Sequence, residues 1–231
     1  MTTDGPAGAQ TVLAIVGGSG ALGGGLALRA ARAGIPVIIG SRTAEKAAEA
    51  AASVAAAVPG AAVQGVENVA AAKAGDMVLV AVPFASQAET LAAIAPHVAG
   101  KIVVDTTVPL VPPKVARVQL PPEGSAAACA AKALGPEARL VTAFHNVSAQ
   151  KLRGEGPVGC DVLVFGDEPE ARAAVIELAD RMGLRGLHGG VLDNAAAAEA
   201  MTSVLIAVNK RYKVAEGAGL RITGIGGTSE D

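Results

Sequence analysis

A doubly wound α/β fold on a mostly parallel sheet is predicted by three features of the chain. Short apolar runs alternate with alanine-rich helix formers along nearly its whole length. The first run, Val12 to Val16, enters a glycine turn, and a helix-forming segment opens directly after it. In that turn Gly18, Gly20 and Gly23 stand at the G-x-G-x-x-G spacing. This spacing permits a tight turn, close approach of backbone to a pyrophosphate and close packing of helix on strand, as in Rossmann-type folds. The helix N-terminus then offers free N–H groups and partial positive charge to the phosphates.

Each element follows from local composition. Val12–Val16 is continuously apolar, as a strand buried on both faces requires. Ala21 to Ala33 is rich in alanine and leucine, and Gly34 ends it. Pro36 to Gly40 reads as a second strand, and Thr43 is placed to cap a helix that runs to Val58 and stops at Pro59-Gly60. A short strand at Ala62–Val66 and a short helix at Asn68–Ala74 lead to a fourth strand, Asp76–Val82. A fourth strand in such a sheet lies beside the first, so Val82, Pro83 and Phe84 should overlook the ligand crevice. Ser86 to Val98 is helical and Lys101–Asp105 is the fifth strand. The loop Thr106 to Pro113 is proline-rich, either the wall of a second, flat ligand or a rigid connector. Ser125 caps a helix over Ala126–Leu134, and Arg139–Phe144 is a sixth strand. His145 stands at its end, where active-site groups gather, although a lone histidine is as often structural. Strands at Asp161–Phe165 and Leu184–Leu187 flank a helix over Pro169–Met182. A last helix, Asn194 to about Ala215, suits packing on a sheet edge or on a second subunit.

The expected organisation is a disordered tail over residues 1–10, a nucleotide-binding Rossmann domain over 11–150, a small C-terminal α/β extension over 151–225 and a loose tail over 226–231. The 231 residues suffice for one such domain with its appendage. A net charge of −2 provides no basic field for nucleic acid, and no uninterrupted apolar window is long enough to span a bilayer. The first ten residues lack the regions of a signal peptide. Cys129 and Cys160 lie far apart without metal-ligand spacing, so they read as buried bystanders in a reducing cytoplasm, and no metal is expected.

The end of the second strand selects the nucleotide. An acidic residue there would bind the ribose 2′-hydroxyl and repel a 2′-phosphate. Here the chain has Gly40-Ser41-Arg42, with Lys46 one helical turn on. A hydroxyl, a guanidinium and an ammonium converging at one strand end form a phosphate site, which favours NADP over NAD. The sequence contains no Ser-His-Asp pattern, no H-E-x-x-H, no Walker lysine and no paired carboxylates at strand ends. Hydride transfer between two cofactor rings needs mainly stacking geometry and exclusion of water, so it suits a crevice lined by Val82, Pro83, Phe84, Thr107, Pro109, His145 and Ala149. Reduction of a flavin or a small carbonyl or imine compound, and a non-catalytic NADP-sensing module, are the alternatives on the same fold.

Gly17 to Gly23, Gly40-Ser41-Arg42 with Lys46, Ala81 to Phe84, Lys101 to Val104, Gly124 to Ala127, Ala143 to Asn146 and Val208 to Lys213 occur in this order. The set resembles the NADPH-dependent coenzyme F420 reductases, and the likeness extends from Thr11 to Ile225. That resemblance implies that Ser19, Ala21, Leu22, Ser41, Arg42 and Lys46 hold NADP. It implies a deazaflavin pocket at Val82, Pro83, Val108, Pro109 and His145, to which the crevice reading adds Phe84 and Thr107. The backbone near Ala149 would meet the nicotinamide amide. The implied reaction is direct, reversible hydride exchange between C4 of the nicotinamide and C5 of coenzyme F420. A homodimer joined partly by the C-terminal helix is the implied assembly.

Overall fold

The computed structural model describes residues 11–225. The expected tails over 1–10 and 226–231 lie outside the described residues. An eight-stranded sheet in the order β3-β2-β1-β4-β5-β6-β7-β8 forms the centre. Strand β1 (Leu13–Val16) pairs in parallel with β2 (Val37–Ser41) on one side and β4 (Met77–Val80) on the other. The strand order reverses at this point, so the crevice of a doubly wound sheet opens above the end of β1.

Side-chain alternation along β1 builds the two halves of the core. Leu13 and Ile15 face α1 (Ala21–Arg32), α2 (Ala44–Ala57) and α7 (Pro169–Arg181), where Leu26, Val54 and Val175 are buried. Ala14 and Val16 face the layer of α3 (Asn68–Ala74), α4 (Phe84–Ile94) and α5 (Ala126–Leu134), with Leu91, Ile94 and Ala130. Both faces of the strand are fully covered, which is why its sequence is apolar throughout.

Parallel pairing continues from β4 to β5 (Ile102–Asp105) and β6 (Arg139–Thr142). Strand β3 (Val63–Glu67) closes the other edge against β2. Strand β7 (Asp161–Phe165) then joins β6 antiparallel and β8 (Arg185–Gly190) in parallel. The C-terminal α/β segment therefore continues the same sheet.

The structure departs from the sequence expectation at several ends. Helix α4 begins two residues earlier, at Phe84, and gives way at Ile94 to a 3₁₀ turn over Ala95–His97 that contains Pro96. Strand β4 ends at Val80, which leaves Val82 and Pro83 in the turn above it. A short helix not foreseen, α6 (Ala149–Arg153), follows β6. The last helix, α8, is shorter than expected, Ala195–Tyr212. Cys160 is buried, whereas Cys129 is only half-buried, and both are free. No described helix is long and apolar enough to cross a membrane.

Candidate functional site

The glycine turn is built by backbone proximity. Gly17 adopts φ +77°, and a Cβ there would lie 2.6 Å from the Ala81 carbonyl oxygen, so β1 and β4 meet too closely for any side chain. Gly23 is equally constrained, since a Cβ would stand 2.7 Å from the Gly17 oxygen. Gly18 donates to the carbonyl of Gly40 at 2.9 Å and packs on β1, so Gly18 and Gly23 shape the turn from beneath. Gly20 caps α1 in an extended conformation without any side-chain hydrogen bond. The first-turn amides, including those of Ala21 and Leu22, thus face the crevice end of the helix without a side-chain partner, an arrangement suited to a pyrophosphate.

Beside the turn, a cleft of about 270 Å³ is lined by Ser19, Gly20, Ser41, Arg42, Val82 and Pro83, among others. It adjoins a second of about 550 Å³ where Lys46 joins Ser19, Ser41 and Arg42, with Glu49 at its edge. The hydroxyls of Ser19 and Ser41 are 2.9 Å apart. Three salt bridges occur among the described residues, and neither Arg42 nor Lys46 takes part. Two unpaired cations, two hydroxyls and the start of α2, capped by Thr43, converge on one open corner. Such a corner has the donors and the charge that a phosphate group requires. A smaller hollow of about 100 Å³ lies at the opposite end of the strands, by Leu13, Ile35 and Met77, away from all of these groups.

Asn68 belongs to no motif in the sequence, yet it sits at the junction. Its Oδ1 accepts a hydrogen bond from the Gly17 N–H at 3.1 Å, and it lines the cleft beside Arg42. Its only signal was its place at the start of α3, immediately after the third strand.

The far wall is organised by a buried carboxylate. Asp105 Oδ1 accepts from the Thr107 hydroxyl at 2.6 Å and from its N–H at 3.3 Å, while Oδ2 accepts from Gln87 Nε2 at 2.5 Å. The same Gln87 nitrogen donates to the carbonyl of Ala126, which fixes the amide orientation and joins α4, β5 and α5. Burial pushes the Asp105 carboxyl up to about 6 against these bonds. Thr107 is thereby held within 3.5 Å of the Val82 carbonyl.

His145 is 7% exposed, its ring lies 6.1 Å from that of Phe165, and its buried Nε2 has no hydrogen-bond partner among the described residues. Burial lowers its pKa to about 4, so the imidazole is neutral near pH 7. The preceding residue, Phe144, is fully buried and held at φ +63°, an unusual conformation for a bulky side chain. The remaining predicted wall residues are less concentrated. Phe84 opens α4 half-buried, and Val108 is half-buried in the loop. Pro109 lines a separate, filled hollow with Leu110, Leu120 and Glu199. Ala149 begins α6. No single described cavity gathers Phe84, Thr107, Val108, Pro109 and His145.

Comparison with known proteins gives these features a context. Residues 12–109 match the family model described as NADP oxidoreductase, coenzyme F420-dependent. An F420-dependent NADP reductase of Methanocaldococcus jannaschii is 39% identical over 222 residues, covering 92% of this chain and 98% of that protein. The chain belongs to the F420-dependent NADP reductase family. A second member, from Methanothermobacter thermautotrophicus, is 42% identical over 221 residues, covering 92% of this chain and 95% of that one. Among solved structures, a hypothetical protein of Sinorhizobium meliloti superposes with a TM-score of 0.67 and 28% identity, over 81% of this chain and 88% of that chain. The family model spans β1 to the loop after β5, so it takes in the glycine turn, Ser41, Arg42, Lys46, Val82 to Phe84 and Thr107 to Pro109. His145 and Ala149 lie beyond it, within the stretch that the two archaeal family members share along most of their length.

Proposed function

We propose that this chain catalyses reversible hydride transfer between NADPH and the 5-deazaflavin coenzyme F420. The observation that carries the reading is the open corner at the end of β2, where Ser19, Ser41, Arg42 and Lys46 surround a phosphate-sized site beside an uncapped helix N-terminus. Membership of the family supplies the second ring. In this reading Ala21 and Leu22 hold the pyrophosphate, and the Ser41, Arg42 and Lys46 corner takes the 2′-phosphate. Val82, Pro83 and the backbone near Ala149 seat the nicotinamide. Phe84, Thr107, Val108, Pro109 and His145 form the deazaflavin side, with residues 151–225 completing the pocket.

When both rings are bound, the hydride passes directly from C4 of one to C5 of the other. The protein contributes proximity, orientation and a dry surface. Asp105 and Gln87 keep the Thr107 wall in register with Val82, so the two strand ends present one surface. His145, neutral and buried against Phe165, acts as a supporting surface behind the second ring and not as an acid. Mixing the protein with NADPH and oxidised F420 should bleach the deazaflavin absorbance, and NADH should support this poorly. Binding of NADPH without bleaching would remove the deazaflavin and keep the nucleotide site.

The assembly follows the same reading. Helix α8 buries Ala195, Ala198, Glu199 and Ser203, but leaves Val204 and Tyr212 exposed along its second half. Such a face on a long terminal helix supports a homodimer. Sedimentation of Val204→Glu at micromolar concentration tests it, since an undisturbed dimer would exclude α8 from the interface. Two free cysteines fit a reducing cytoplasm.

A further inference from the structure

Helix α6 has five residues, too few to be stable alone. Its N-cap, Ser148, makes no side-chain capping bond. Besides the burial of Leu152, polar side chains from α1 hold it, above all Arg29. Arg29 donates from Nε to the Leu152 carbonyl at 2.9 Å, and from Nη2 to the carbonyls of Lys151, Gly154 and Gly156 at 3.0, 3.0 and 2.8 Å. Arg32, one turn on, adds a bond to the Gly154 carbonyl at 2.6 Å. Arg29 is only 6% exposed, and among the described residues no carboxylate pairs with it. Desolvating a guanidinium is costly, and here the carbonyls at the C-terminal end of α6, the negative end of its dipole, satisfy the charge.

The helices are also in backbone contact. A Cβ on Gly25 would lie 2.8 Å from Leu152 Cβ and 3.3 Å from the Ala149 carbonyl oxygen. Gly25 therefore meets the start of α6 and Arg29 meets its end, so both helices run the same way. The residues that open α6 thus pack on the first half of α1, the helix that the glycine turn opens.

We infer that Arg29 is a positioning residue for hydride transfer, clamping α6 to α1 so that the Ser148–Ala149 backbone keeps its place beside the glycine turn. This rests on the NADPH reading of the crevice. The clamp acts on the seat of the nicotinamide end, whereas the two cations of the 2′-phosphate corner, Arg42 and Lys46, stand at the end of β2 and the start of α2 and make no contact with α6.

The test uses the full chain, with affinity for adenosine 2′,5′-bisphosphate, single-turnover transfer from NADPH to F420, and backbone hydrogen exchange as readouts. Arg29→Met should keep bisphosphate affinity within about twofold and slow transfer by about ten- to a hundredfold, as expected for a misplacement near 1 Å. Faster exchange should be confined to residues 149–156. In Arg29→Ala, guanidinium ion in the buffer should restore part of the rate. Transfer by Arg29→Met within about twofold of the wild-type rate, or a loss of bisphosphate affinity as large as the loss of transfer, overturns the inference. Should Arg29→Met not fold, Gly25→Ala displaces α6 with the clamp intact and must show the same split. A wild-type chain that binds neither bisphosphate nor NADPH overturns the nucleotide reading itself, and this inference with it.

Discussion

Glu199 on α8 places its two carboxylate oxygens 2.6 and 2.9 Å from the backbone N–H groups of Ala126 and Ala127, which open α5. Burial raises its pKa to about 7, the two amide bonds oppose the rise, and the nearby Asp105 carboxyl adds to it. Both acids bind protons more tightly in the folded chain than in the unfolded one, where they titrate near 4. The contribution of Asp105 is fully present below about pH 3.8 and that of Glu199 below about pH 4.5, and they are lost as pH rises through about 6 and 7 respectively. Urea unfolding at pH 5 and pH 7.5 should show Glu199→Gln losing less stability over that interval than the wild type, by about 1 kcal/mol or more. Identical differences in the two proteins would remove Glu199 as the titrating group.

His145 works in the opposite direction. Its pKa is depressed by burial from 6.5 to about 4, so its neutral form stabilises the fold above pH 6.5 and that contribution is lost as pH falls through 4. His145→Gln should therefore resist acid unfolding better, relative to its own stability at pH 7. The transfer rate between pH 6 and 8 should show no break that His145→Ala abolishes. A loss beyond about a thousandfold in His145→Ala would falsify the surface role and make the imidazole a general acid or base.

Arg42→Ala removes the exposed guanidinium from the phosphate corner. A charge-assisted hydrogen bond contributes about 1.5–3 kcal/mol, so the NADPH KM should rise by about ten- to a hundredfold while the NADH KM stays unchanged. An equal rise for both nucleotides would put Arg42 elsewhere on the cofactor.

Asn68→Ala leaves the Gly17 N–H without its acceptor at the most crowded point of the turn. The unpaired amide should cost about 1–3 kcal/mol, read as a lower Tm. Asn68→Asp retains the acceptor and should recover most of it, and if both variants melt with the wild type the bond is dispensable.

The regular elements were legible because their causes are local. Val12 to Val16 is apolar at every position, Ser125 and Thr43 are cap residues beside alanine-rich helices, and the glycine spacing announces the turn. Helix α6 was not legible, because Ala149 to Arg153 carries too few residues for a period and is held by an arginine more than a hundred positions away. The antiparallel entry of β7 was hidden for a related reason, since strand direction is set by where the chain returns and not by the strand's own composition. The nucleotide side of the site could be read from motif spacing. The buried links from Asp105 through Gln87 to Ala126 could not, because each partner looks ordinary in its own segment.

Phe144 shows two demands pulling on one residue. Glycine at this position would relax a backbone held at φ +63°, a gain of about 1–3 kcal/mol. It would also empty the space of one of the largest fully buried side chains in the fold, a loss of about 3–5 kcal/mol. Volume wins, and the aromatic body acts as a nail that keeps the following peptide twisted. The direction in which His145 leaves the strand is therefore fixed from below by the hydrophobic interior, so smaller residues at 144 should lower stability and loosen the imidazole together.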